Sequence, residues 1–300
     1  MRWIRVYEPD EGFKKNFRKA LLVTFIGNLI LAGIKVAAAM SSGSTAIYSD
    51  AINSISDVLY SVLLIIGLLL SQRPPDISHP QGHSRFEPFA ALIVAVSMTL
   101  AGVEAMRMSI VRTIEGGTAV PLGIPLIAII LSMVIKTGMY VLVHRVSQKI
   151  ASPGLDAAAK DNLSDVITSL AALLGILGSN FLNPVLDPLA GVLVALWIFR
   201  AVYQTAKENL GYLTGAGADE QLRNDLMESA RSIHGVEDVH RIVTEYAGPR
   251  LIVDMHINVD GNISLNEAHQ ICDQVTEQLE TLPQVDRAYV HVEPTRTEKA

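Results

Sequence analysis

Residues 53–62 read NSISDVLYSV, and residues 161–170 read DNLSDVITSL. Each stretch holds an oxygen-bearing residue, three more residues, then Asp-Val, with a Ser four places beyond the Asp. Each also opens a long apolar run: VLLIIGLLLS continues the first, and AALLGILG continues the second. A charge in hydrocarbon costs at least about 2.5–3.5 kcal/mol on insertion scales, so Asp57 and Asp165 require a reason. Spacing of four residues stacks Asn53 over Asp57, and Asp161 over Asp165, on one face of each helix. If the two helices face each other, four oxygen ligands converge. Three carboxylates around an empty space repel, and protons or a divalent cation relieve that repulsion. Cation and protons then compete for the same oxygens, which is the physical basis of metal–proton exchange. Carboxylates solvated at a helix end are the bland alternative; Asp50 fits it better than Asp57 or Asp165 does.

The rest of the chain surrounds these stretches with apolar sequence. Of 300 residues, 50% are hydrophobic and only 18% are charged, where a soluble protein carries about 25% charge. The deficit excludes a disordered chain and argues against an ordinary cytosolic enzyme. A net charge of −6 gives no basic signal for nucleic acid. One cysteine, Cys272, excludes an internal disulfide and a Cys-cluster metal site. Metal chemistry here must run on His, Asp, Glu and Asn. No GxxxxGK[ST] phosphate loop and no defensible nucleophile–base pair occurs, so the sequence does not read as an enzyme.

Six stretches, roughly 20–40, 45–71, 88–112, 121–145, 157–180 and 185–205, are long enough to span, taking about 20 residues per ~30 Å of hydrocarbon. The first is too long for a signal peptide. Arg2, Arg5, Lys14, Lys15, Arg18 and Lys19 precede the first span; Arg73, Arg85, Arg145 and Lys149 fall in the second and fourth loops; the first and fifth loops carry none. By the positive-inside rule both termini are cytoplasmic in a multi-pass cell-membrane protein. The reading is an α-helical membrane domain of six transmembrane helices over 1–207, followed by a cytoplasmic α+β domain over 208–300. In that tail QLRNDLMESARSIH reads as an amphipathic helix. VEDVHRIVTEYA and RLIVDMHINVD alternate as strands about Gly248-Pro249, with Asp254, His256 and Asn258 on one face. A second helix starts at a capping box formed by Ser264 and Glu267, and QVDRAYVHVEP closes as a third strand.

Two further clusters carry ligand chemistry. In the loop DISHPQGHSRFE, Asp76, His79 and His83 set two imidazoles and a carboxylate on a tight bend, a set suited to Zn²⁺ or another borderline divalent ion. In the tail, His240, His256, His269, His291 and Glu293 crowd into a short span, with scattered surface histidine as the alternative. Lys136 in the fourth span, Glu104 in the third and Asp187 at the sixth are left without a role. An acid elsewhere in the bundle would be the partner for Lys136.

Taken together, these features resemble the cation diffusion facilitator family over nearly the whole chain. The carriers are six spans, paired four-residue motifs on the second and fifth, the His-bearing second loop with GHSRFEPFAAL, and the tail EDVHRIVTEYAGPRLIVDMHINVD…LNEAHQICDQVTEQLE…AYVHVEP. The resemblance implies a homodimeric exporter of divalent transition-metal ions, exchanging them for protons, with a ferredoxin-like cytoplasmic domain. It implies a transport site at Asn53, Asp57, Asp161 and Asp165 and a loop site at Asp76, His79 and His83. It implies a cytoplasmic metal site at His240, His256, His269, His291 and Glu293. No cofactor is implied; Mn²⁺, Fe²⁺ or Zn²⁺ serve as substrate and as regulators of the tail. Zinc-moving members usually hold at least one His in the quartet, whereas Asn-Asp-Asp-Asp resembles the bacterial manganese-exporting branch. An all-oxygen set suits Mn²⁺, with Fe²⁺ its nearest competitor and Zn²⁺ still able to bind. The readings left beside it are a broad Zn²⁺/Cd²⁺/Fe²⁺ antiporter and, in another class, a membrane-bound metal sensor that transports nothing.

Overall fold

The structure is a computed structural model that describes residues 11–42, 45–114, 124–181 and 186–295. The chain divides into two compact units, residues 1–209 and 210–300.

The first unit is helical. Its elements are α1 (Glu11–Ser42), α2 (Thr45–Ser71), α3 (Phe86–Ile114), α4 (Ile124–Ile150), α5 (Pro153–Phe181) and α6 (Leu186–Thr214), whose last turn enters the second unit. Large apolar side chains point outward along these helices, as at Leu29, Leu59, Leu63, Ile66, Val96 and Leu193, while Asn28, Ser61, Lys136 and Asn162 are buried. A water-soluble bundle does the reverse. Lipid tails are as apolar as leucine, so burial of leucine does not drive assembly, and small residues and polar contacts hold the helices together. Ala90, Ala91, Ala157, Ala158 and Ala159 accordingly form much of the interior. Gly67 shows how close the approach is: a Cβ there would lie 2.6 Å from the Cβ of Ala90, so α2 meets α3 at a point with no room for a side chain. The start of α5 is tied to α3 by buried Glu87, which accepts from the Ser152 hydroxyl and, at 3.4 Å, from the Gly154 amide.

Among the described residues, five helices are long and apolar enough to cross a membrane: Lys15–Ala37, Ser54–Ser71, Phe86–Ile114, Leu126–Ile150 and Pro188–Thr214. The remaining sequence-expected span falls on α5. That helix has 29 residues, the length of α3. It departs from the apolar pattern through Asp156, Lys160, Asp161 and Asp165 in its first half.

The second unit runs α7 (Glu220–Arg231), β1 (Asp238–Tyr246), β2 (Leu251–Val259), α8 (Leu265–Glu280), β3 (Val285–Pro294). The sheet order is β1-β2-β3, with β1 antiparallel to β2 and β2 parallel to β3. A parallel pair cannot be closed by a hairpin, and α8 supplies the crossover. On β2, Leu251, Val253, Met255, Ile257 and Val259 are buried, packing in one core with Leu226 and Ala230 of α7 and Val275 and Leu279 of α8. Asp254, His256 and Asn258 lie on the alternate face. Asp219 caps α7 by accepting from the Leu222 amide, and Ser264 and Glu267 form a complete capping box on α8. Gly248 takes the left-handed turn position, at φ +83, that L side chains avoid.

Candidate metal centres

Three groups of ligand-type side chains can be placed. The first lies inside the helical unit. Lys136 of α4 is 3% exposed, and its Nζ stands 2.6 Å from Asp165 Oδ2 of α5 and 3.5 Å from Asp57 Oδ2 of α2. One ammonium group therefore draws a carboxylate from each of the two motif helices onto itself. Asp161, one turn from Asp165, joins Asp57 in lining a cavity of about 20 Å³ between α1, α2, α3 and α5. The wall contributed by α1 includes Asn28, whose Nδ2 donates to Ser61 Oγ at 2.7 Å. Ser61 in turn donates to the carbonyl oxygen of Asp57 at 2.7 Å. Asn53 sits on α2, and its side chain lies outside the described residues.

The second group is the loop between α2 and α3. Asp76 Oδ1 accepts from the His79 amide at 2.7 Å, and the two imidazoles face that carboxyl, His79 Nδ1 at 3.5 Å and His83 Nε2 at 3.4 Å. The imidazole rings are 4.5 Å apart, centre to centre. Ligand atoms of all three residues lie within 4.8 Å of one another. The backbone bond from His79, with the nearby imidazoles, holds the Asp76 carboxyl below the usual carboxylate range and so keeps it an acceptor.

The third group is on the open face of the tail sheet. His256 Nδ1 is 3.1 Å from Glu293 Oε1, His240 Nε2 is 3.7 Å from Glu293 Oε2, and His291 Nε2 is 3.7 Å from Glu293 Oε1. His240 Nδ1 also meets Asn258 Oδ1 at 2.9 Å. Ligand atoms of His240, His256 and Glu293 fall within 4.8 Å of one another. The hydrogen bond from His256, followed by the charges of the three histidines, lowers the Glu293 carboxyl from its ordinary value. His269 does not join them. It is exposed on α8, with Nδ1 3.6 Å from Asp273 Oδ1, one helical turn along. The five tail residues therefore do not form one cluster within a single chain.

Known proteins match this chain along most of its length. The family described as the cation efflux transmembrane domain matches residues 21–214, and the cation efflux protein cytoplasmic domain matches residues 218–295. The chain belongs to the cation efflux family. An uncharacterised transporter of Methanocaldococcus jannaschii is 34% identical over 279 residues, which cover 93% of this chain and 99% of its own. The uncharacterised transporter YdbO of Bacillus subtilis is 32% identical over 291 residues, covering 96% of this chain and 98% of its own. The manganese efflux system protein MneS of the same organism is 28% identical over 280 residues, covering 93% of this chain and 96% of its own.

This cation efflux protein, a multi-pass transporter by family, gives Lys136 the partners its sequence left open and shows how His240, already among the tail candidates, comes to Glu293. Lys136 had no assigned partner; the structure gives it two, both on the motif helices. Lys136 stands 79 residues from Asp57 and on a different helix from Asp165, so no local spacing signals the contact. His240 reaches Glu293 through a bulge in β1: Val239 pairs with Ile257 and Arg241 with His256, so His240 is the extra residue between them. A bulge re-aims a side chain and is invisible to strict alternation. Glu104 proves local, forming a two-pronged ion pair with Arg107 on α3 at 2.7 and 2.9 Å.

Proposed function

We propose that this protein exports divalent transition-metal ions from the cytoplasm across the cell membrane in exchange for protons, with Mn²⁺ favoured over Fe²⁺ and Zn²⁺. It works as a homodimer with both termini cytoplasmic. The observation that carries the reading is the convergence of the half-buried Asp57 and Asp165 on the buried Lys136, beside the cavity that Asp57 shares with Asp161. Asn53, Asp57, Asp161 and Asp165 form the transport site. Every donor in that set is oxygen, which removes the imidazole preference of Zn²⁺ and suits a harder ion. Two of the relatives, MneS and MneP of Bacillus subtilis, are named as manganese efflux proteins, which supports the same choice. The ion enters by displacing the Lys136 ammonium from carboxylate oxygens that the two cations share. The bundle then rocks to open the site outward, and protons from outside replace the ion on the same oxygens. The loop residues Asp76, His79 and His83, and the tail residues His240, His256, His291 and Glu293 with His269, hold ions that report cytoplasmic metal. The tail domain brings the two chains together.

The test is transport into reconstituted vesicles under an imposed pH gradient, offering Mn²⁺, Fe²⁺, Zn²⁺ and Cd²⁺ separately. Proton-driven Mn²⁺ movement with poor Zn²⁺ movement is expected, and Asp57→Ala with Asp165→Ala should abolish it. Equal or faster Zn²⁺ movement makes the protein a broad divalent-metal antiporter. Flux indifferent to the pH gradient removes the exchange mechanism.

A further inference from the structure

The amide of Asn28 is held in one orientation. Asn28 is 4% exposed on α1. The Ser61 hydroxyl spends its hydrogen on the Asp57 carbonyl at 2.7 Å, so toward Asn28 it can only accept. The group that meets Ser61 at 2.7 Å must therefore be the amide nitrogen, and the amide oxygen is the free end. That oxygen, Oδ1, is buried without a hydrogen-bond partner among the described residues. Asn28 shares its cavity with Asp57 and Asp161, both of which present only acceptors when ionised. A fixed carbonyl dipole with its negative end beside carboxylates is unfavourable until a positive charge sits between them. The cavity, about 20 Å³, takes one occupant the size of a water or a single ion. Asn162 and Asn209 also bury unpartnered Oδ1 atoms, but each amide nitrogen bonds a carbonyl of its own helix and neither residue lines this cavity.

We infer that Asn28 is a further oxygen ligand of the transported cation and that it tunes selectivity toward Mn²⁺. This rests on the transport site proposed above and extends it to α1, outside the two motif helices. A neutral oxygen added to the Asn-Asp-Asp-Asp set raises the donor number. Zn²⁺ is satisfied by four donors in a tetrahedron, whereas Mn²⁺ takes an octahedron of oxygens, so the extra donor favours Mn²⁺. Ser61 is a positioning residue, acting through the amide it orients.

The experiment measures Mn²⁺ and Zn²⁺ binding and vesicle transport for the full-length protein and three variants. Asn28→Leu should weaken Mn²⁺ about tenfold or more while Zn²⁺ changes less than about threefold. Asn28→Asp keeps an acceptor at the site and should hold Mn²⁺ at least as tightly as the parent; it also decides the matter if the leucine variant does not fold. Ser61→Ala removes the acceptor that orients the amide, so it should lower the Mn²⁺/Zn²⁺ ratio in the same direction as Asn28→Leu but by less. An unchanged ratio in Asn28→Leu overturns the inference. So does a Ser61→Ala variant that leaves the ratio unchanged, which would make the orientation of the amide irrelevant, or an Asn28→Asp variant that loses Mn²⁺. If the parent protein itself binds neither ion, the transport reading fails instead.

Discussion

Lys136 shows what one side chain does to a buried acidic site. Its ammonium holds Asp165 and Asp57 at 2.6 and 3.5 Å, and thus stands where a divalent ion would have to bind those oxygens. Removing one partner from a buried ion pair costs about 3–5 kcal/mol, because the other partner is left charged and unsolvated. Lys136→Gln should accordingly lower the melting temperature of the metal-free protein. Saturating Mn²⁺ should then raise it by more than in the parent, since the ion takes over the charge balance that the ammonium provided. Equal Mn²⁺-induced shifts in the two proteins would show that ammonium and ion do not share the carboxylates.

At the scale of the element, α8 is started by a reciprocal pair. Ser264 Oγ accepts from the Glu267 amide at 3.3 Å, and Glu267 Oε2 accepts from the Ser264 amide at 2.8 Å. Ser264→Ala removes half of this box and should destabilise the tail by about 1 kcal/mol in chemical unfolding. The backbone bond from Ser264, joined by its hydroxyl, lowers the Glu267 carboxyl from its ordinary value. A carboxylate whose folded value is depressed adds stability above its unfolded value, and loses it as pH falls through the folded one. The parent tail should therefore weaken more than Glu267→Gln does between about pH 5 and pH 3, read by hydrogen exchange of α8 amides. Strand β2 is the other decisive element. Met255 and Ile257 are fully buried on the helix-facing side while His256 between them faces the open side. Met255→Ala should cost the tail about 2–5 kcal/mol through the cavity it leaves, without touching the metal face.

At the scale of the whole molecule, the separation of His269 from the sheet cluster bears on assembly. His240, His256, His291 and Glu293 share the open sheet face, whereas His269 projects from α8. An ion on the sheet face of one chain has three or four donors and is left exposed, a geometry that a second chain can complete. His256→Ala combined with Glu293→Gln should weaken metal-dependent dimerisation in sedimentation experiments and leave vesicle transport at saturating Mn²⁺ largely intact. Loss of transport in step with dimerisation would mean that the tail is required for the cycle itself.

Although α1 and α6 run well past the stretches read as spans, the presence of six long helices among the described residues, the placing of paired Asp residues on two of them, the capping box and the buried face of β2 were legible in the chain. Each depends on a local period: 3.6 residues for a helix, two for a strand, or a fixed offset at a cap. Family membership followed from those features in their order. The Lys136 bridge, the Asn28 wall of the cavity, the bulge that aims His240 and the isolation of His269 were decided only by tertiary structure. They depend on how far each helix is rotated about its axis and on one unpaired residue in a strand register. Those quantities are set by packing between segments far apart in sequence, as Asn28 meeting Ser61 and Lys136 meeting Asp57 show. No spacing within one segment encodes them.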